Sequence, residues 1–267
     1  MFGLDPFVAR VTASVVVGGL WIAAATFAAE RFGAKVGGLL AGLPATAAVS
    51  LFFIALVEGP AVAFDATTAF PLAMATNAFF LVAYLQLTQR GVRTALAGSL
   101  LVWCLVQGVL VELHPTSFGW AMIVWALIVV LAVFLLVGSL RVHSAAGVKL
   151  HYSLSQLVGR AVFGGGVVGS AVVLSRLGGA LVGAVFSAFP AVYLSTLLIT
   201  AKTIDLEFSR SIVPALLVSS EINCVAFSVG FRLAVVNMGP LGALGVGYLV
   251  SIVAGIGSLL VIRVCFR

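Results

Sequence analysis

Apolar residues in this chain come in blocks of roughly bilayer length, and polar residues are confined to the short gaps between them. We read nine such blocks, at residues 11–29, 36–57, 69–87, 94–112, 118–139, 158–175, 181–201, 211–233 and 239–262. A hydrocarbon core about 30 Å thick is crossed by ~20 residues of helix. The pattern therefore predicts nine transmembrane helices. Polar punctuation separates most of them, as in Glu58-Gly59-Pro60 to Asp65, Arg90-Gly91-Val92-Arg93 and Glu112-Leu113-His114-Pro115. The longest connection, Leu140 to Gln156, carries Arg141, His143, Lys149 and His151.

Composition agrees with this pattern. Hydrophobic residues make up 63% of the 267, charged residues 8%, and mean hydropathy is +1.27, which excludes a soluble globular domain. The expected class is an all-α, multi-pass membrane protein whose first partner is the lipid bilayer. A pI near 9.7 raises the question of nucleic acid. The 14 basic residues are strung between apolar blocks rather than gathered on one face, so no nucleic-acid partner is expected.

Those basic residues carry topology instead. Alternating the connections of a nine-span arrangement puts Arg31, Lys35, Arg90, Arg93, Arg141, Lys149, Arg160, Lys202, Arg210, Arg263 and Arg267 on one side and Arg10, Arg176 and Arg232 on the other, eleven against three. The expected orientation in the cytoplasmic membrane has the N-terminus outside and the C-terminus inside. A signal peptide ending near Ala28 and Ala29 is the competing reading of the first block, and the charge that follows that block argues against it.

The chain also repeats itself at an offset of 146 positions. Gly18 and Gly19 fall on Gly164 and Gly165, Gly37 on Gly183, Pro44 on Pro190 and Asn77 on Asn223, and 14 of the 62 positions from Val16 to Asn77 are identical. Four spans precede the block at 118–139 and four follow it, so the second copy enters the membrane from the opposite face. The expected organisation is a first four-helix repeat over 1–112, a linking transmembrane helix and cytoplasmic loop over 113–156, and a second, inverted repeat over 157–267. Inverted repeats are the usual construction of secondary transporters, because exchanging the conformations of the halves exchanges outward-open for inward-open. A duplication that merely enlarged a stable bundle is the plainer alternative.

Candidate functional residues follow from what hydrocarbon does not tolerate. Pro44 and Pro190 lie inside matched spans, behind the small-residue runs that begin at Gly37 and Gly183. Each removes a backbone donor and crowds the carbonyl four residues back, Leu40 or Phe186. Broken helices at matched depth mark a candidate binding site and hinge, whereas a packing kink is the alternative for either proline alone. Glu221 is the only acid that the span assignment places deep in the membrane, where a charge costs on the order of 3 kcal/mol. Hydrocarbon favours its neutral, proton-carrying form, which suits a proton-coupling residue; a protonated acid tying two helices together is the competing role. Arg232 lies eleven positions on, about 16 Å along the axis, so Glu221 needs a partner from another span. Its repeat equivalent is Ala75. Asn77 and Asn223 are expected at the repeat interface as substrate ligands or as interhelical glue, joined by the hydroxyls of Tyr193, Ser195 and Thr196.

Other chemistry is sparse. His114, His143 and His151 lack metal-ligand spacing, and Cys104, Cys224 and Cys265 are scattered. No metalloprotease, nucleotide-binding or hydrolase motif occurs. No metal, cofactor or enzymatic activity is expected, and transport energy would come from a gradient.

The stretch Gly37 to Ala55, GGLLAGLPATAAVSLFFIA, resembles the signature region of the small GlpM-type membrane proteins, in two copies of about 60 residues. The inverted four-span arrangement is similar to that of the drug/metabolite transporter superfamily and its small multidrug-resistance relatives. Those relatives carry an essential glutamate in the first span, which has none here, so no role passes from them to Glu221. The expectation is a secondary-active, proton-coupled transporter of a small solute working by alternating access. With no basic residue read deep in a span, that solute is expected to be cationic or neutral. A non-transporting scaffold or accessory protein of envelope metabolism is the alternative.

Overall fold

The computed structural model of the protein describes residues 5–31, 43–140 and 152–266. Gly37 and the charged connection with Arg141, His143, Lys149 and His151 lie outside the described residues. The described chain is helical: α1 (Pro6–Arg31), α2 (Ala45–Val57), α3 (Pro60–Leu87), a 3-10 turn (Thr88–Arg90), α4 (Val92–Leu113), α5 (Phe118–Phe134) running into a π turn (Leu135–Ser139), α6 (Leu154–Ser187), α7 (Ala191–Thr203), α8 (Leu206–Ser211) and α9 (Val213–Cys265). Six helical stretches among them are long and apolar enough to cross a bilayer. The protein is an all-α, multi-pass membrane protein.

Two of those stretches run 50 and 57 residues, Leu154–Thr203 and Leu206–Ile262, which as straight helices would measure about 75 and 86 Å, more than twice the hydrocarbon thickness. They do not run straight. Inside α6 the backbone turns at Gly179 (φ 79°, ψ −175°), and inside α9 at Gly239 (φ 70°, ψ −180°). This combination is open only to glycine. It recurs at Gly59 and Gly91, which start α3 and α4. Contacts confirm the reversals. The Phe227 and Tyr248 rings meet edge to face at 5.2 Å, where a continuous helix would hold them about 31 Å apart. A Cβ built on Gly183 would lie 2.6 Å from the Ser175 Cβ, against about 12 Å of rise along an unbroken α6. Each of these long helices is thus an antiparallel hairpin.

Glycines also set the closest helix crossing. Helix α1 lies antiparallel to the first limb of α6, with Arg176 over the Phe7 ring at one end and the Tyr152 amide donating to Glu30 at the other. Between these ends, Gly18 faces Val168, Gly19 faces the Ala161 carbonyl, Gly164 faces Ile22 and Gly165 faces the Val15 carbonyl. Missing side chains let the two backbones touch. Helix α3 is likewise antiparallel to the first limb of α9. Arg232 donates to the Phe64 carbonyl (2.8 Å), Thr67 (2.9 Å) and Thr68 (3.0 Å) at one end, while Tyr84 bonds Ser209 (2.8 Å) and Arg210 donates to Thr88 (3.2 Å) at the other. Phe70 and Phe80 of α3 and Phe227 and Phe231 of α9 are fully buried, Phe80 against Tyr193 and Phe227 against Tyr248. Helix α5 packs less completely, presenting Leu127, Val130 and Phe134 outward, as a lipid-facing helix does.

Candidate functional site

Both prolines stand immediately before the first residue of a helix rather than inside one, and at Pro190 the preceding helix has already ended at Ser187. Pro44 (φ −75°, ψ 65°) precedes α2 and Pro190 (φ −76°, ψ 42°) precedes α7; each of those helices has 13 residues. A proline has no N–H to continue the preceding helix, yet its fixed φ suits the start of the next. The two turns close with the same bonds. Ala45 donates to the Leu43 carbonyl at 2.8 Å and Ala191 to Phe189 at 2.8 Å; Ala48 donates to Pro44 at 2.8 Å and Leu194 to Pro190 at 2.9 Å.

An interrupted helix leaves carbonyls that lipid cannot satisfy. The Phe186 carbonyl is taken by the Phe189 amide at 3.2 Å. The Ala188 carbonyl is taken by Asn77, whose Nδ2 reaches it from α3 at 3.2 Å. Asn77 therefore serves as a cross-bundle cap for the break at Pro190. Only 2% of it is exposed, and its Oδ1 has no hydrogen-bond partner among the described residues.

The two breaks face each other across a cavity of about 40 Å³, room for a few waters. Its wall includes Leu43, Pro44, Thr46 and Ala47 from the first break, and Phe189, Pro190, Val192 and Tyr193 from the second. Asn77, Met74, Ser220 and Cys224 complete it from α3 and α9. Phe189 stacks edge to face on Trp103 at 5.0 Å and on Phe163 at 6.1 Å, closing one flank with aromatic rings. The Tyr193 hydroxyl, buried beside Ser220, closes no well-formed hydrogen bond.

Glu221 sits directly behind this wall, between Ser220 and the Cys224 turn, and is 0% exposed. Its Oε2 accepts from the Trp125 indole at 3.0 Å, and its Oε1 has no partner among the described residues. Trp125 belongs to α5, so the partner that Glu221 needed comes from another helix. Removing the indole strands both carboxyl oxygens, so Trp125→Phe is expected to cost about 1–2 kcal/mol in thermal unfolding. The same change in a Glu221→Leu background is expected to cost close to nothing.

The other predicted residues have different surroundings. Asn223 is buried in the bundle, off the cavity wall. Ser195 turns its hydroxyl back to the Ala191 carbonyl at 2.8 Å, and Thr196 accepts from Arg160 at 2.9 Å. Gly183 is the close approach of the second limb of α6 to Ser175 and Ile54. Arg160 is an addition to the sequence reading: it lies seven residues into α6, 8% exposed, its guanidinium 5.2 Å from the Tyr152 ring centroid. A basic residue does therefore sit inside the bundle. The apolar block starting at 158 contained it all along, and the signal was its position inside that block rather than beside it.

No family model, curated protein or solved structure matches this chain. The functional reading stands on the site itself.

Proposed function

We propose that the protein is a secondary-active transporter of a small solute, built from two inverted four-helix units joined by α5, crossing the membrane nine times, and coupled to protons through Glu221. The observation that carries this reading is the cavity. The offset of 146 that aligns the two halves of the sequence pairs ten of the fifteen residues on its wall: Leu43 with Phe189, Pro44 with Pro190, Thr46 with Val192, Ala47 with Tyr193 and Met74 with Ser220. The same offset carries Ala45–Val57 onto Ala191–Thr203 at both ends. It also carries the Gly18–Val168 contact onto the Gly164–Ile22 contact. Equivalent helices that pack antiparallel about a shared centre are what a pseudo-two-fold axis in the membrane plane produces. The hairpins at Gly179 and Gly239 supply the crossings that raise six long stretches toward nine, with α2 as the second half of the predicted second span.

The two ends of the α3–α9 pair act as the gates of alternating access. Arg232 latches one end to Phe64, Thr67 and Thr68; Tyr84–Ser209 and Arg210–Thr88 latch the other. The cavity lies between these two ends. In the orientation read from the charges, the Arg232 end faces outside. Cys224 on the cavity wall is a native reporter. After Cys104→Ser and Cys265→Ser, a membrane-impermeant maleimide added outside is expected to label Cys224 slowly, and Arg232→Ala is expected to raise that rate by about tenfold or more, as the loss of three part-buried bonds shifts the population. Equal rates would remove Arg232 from the gate.

Function itself is tested in proteoliposomes loaded with a pH-sensitive dye. Addition of a panel of short carboxylates, small ammonium ions and neutral polyols is expected to drive internal pH change for at least one class, beyond that in protein-free vesicles. No protein-dependent change for any class would contradict the reading.

A further inference from the structure

We infer that the cavity between the two breaks binds a small monovalent anion, of the size of a halide or a short carboxylate, at the facing N-termini of α2 and α7. The assignment rests on reading this cavity as the solute site, and it reverses the preference for a cationic or neutral solute drawn from the sequence.

An α-helix leaves the N–H groups of its first turn without intrahelical acceptors. In α2 and α7 the first and fourth of these are used by the proline turns, through Ala45, Ala48, Ala191 and Leu194. The second and third are not. The amides of Thr46, Ala47, Val192 and Tyr193 make no hydrogen bond among the described residues, and neither helix has a side-chain cap. All four residues are on the wall of the same cavity. Two pairs of donors with no acceptor among the described residues thus lie on one wall, each backed by the positive end of a 13-residue helix dipole. In hydrocarbon no outside water competes for them, so an acceptor-rich, negatively charged occupant is strongly favoured.

Side chains give a second, separate indication. Tyr193 is 4% exposed, lines the cavity, and has a hydroxyl without a well-formed bond, a fifth donor beside the four amides. Asn77 places one acceptor, its Oδ1, on the opposite wall, where a water or a hydroxyl accompanying the anion would satisfy it. The wall has no charged side chain among the described residues to oppose or neutralise the occupant. A volume of about 40 Å³ limits that occupant to a few heavy atoms.

The test is equilibrium binding, independent of transport. Thermal unfolding of the purified protein in detergent is followed at constant ionic strength with sodium fluoride, chloride, formate or acetate replacing gluconate, and separately with ammonium or choline gluconate. A saturable rise of the midpoint with at least one small anion is expected, and no such rise with the cations. Tyr193→Phe is expected to weaken the apparent affinity about tenfold, the loss of one bond to a charged group. Ala47→Asp, which puts a fixed carboxylate at the site, is expected to remove the response, while Ala47→Asn retains it. A response that follows the cation, or none that saturates, would overturn the inference in the unmodified protein, whatever the variants do. Saturable anion binding without solute-driven pH change would leave the site standing and remove transport; solute-driven pH change without anion binding would do the reverse.

Discussion

Glu221→Gln is expected to abolish proton coupling while leaving the fold intact. Glutamine keeps the length and planar shape of the side chain, and its carbonyl oxygen still accepts from the Trp125 indole that now reaches Oε2 at 3.0 Å. What it loses is the ability to take up and release a proton. In dye-loaded proteoliposomes the variant is expected to bring solute-driven pH change down to the level of protein-free vesicles, at least a tenfold drop, with an unchanged thermal midpoint. A pH change as fast as in the wild type would remove Glu221 from coupling and leave it as a structural partner of Trp125. Replacing an acid buried in the bilayer by a neutral amide removes a residue that is expensive there, so a lower midpoint would also count against this account.

The largest effect on stability is expected from Gly165→Leu. A Cβ at this position would collide with the Val15 carbonyl oxygen and sit 3.1 Å from the Gly19 amide nitrogen, both backbone atoms that cannot move without shifting α1. Overpacking a close backbone crossing costs about 1–3 kcal/mol or more, and here it separates α1 from the first limb of α6. Gly166→Leu, one residue on, is the internal control: its position is exposed, with no other heavy atom within 4 Å of the added Cβ. Detergent unfolding is expected to show a large drop in midpoint or folded yield for the first and little change for the second. Similar losses for both would mean that the α1–α6 crossing is not the tight contact it is described to be.

These two residues also show what the sequence makes legible. Gly19 and Gly165 stand out because their spacing repeats in the second copy, and their crowding against backbone fits the close crossing that such clusters mark. Pro44 and Pro190 are legible for the same reason, as interruptions at matched depth. Each begins a helix, and the residue before it closes a tight turn with the residue after it, Leu43 with Ala45 and Phe189 with Ala191. The hydrogen bond from Trp125 to Glu221 spans 96 positions and leaves no periodic trace, so only the need for a partner was readable. Arg160 was counted among cytoplasmic charges because hydropathy does not tell whether a charge near a span's end faces water or the bundle; here it faces Thr196. Ser195 looked free for a ligand, yet a hydroxyl in a helix readily bonds a carbonyl one turn back, and it does.

The account depends above all on the two units lying head to tail across the bilayer. With the native cysteines replaced, single cysteines at Ala61 and Glu207, exposed positions related by the offset of 146, report directly on it, as do Gln89 and Asn237 at the next turn of each unit. In intact cells an impermeant maleimide is expected to label Ala61→Cys and Asn237→Cys from outside, and Glu207→Cys and Gln89→Cys only after permeabilisation. Labelling of Ala61→Cys and Glu207→Cys from the same face would contradict the inverted arrangement, and with it the proposed mechanism.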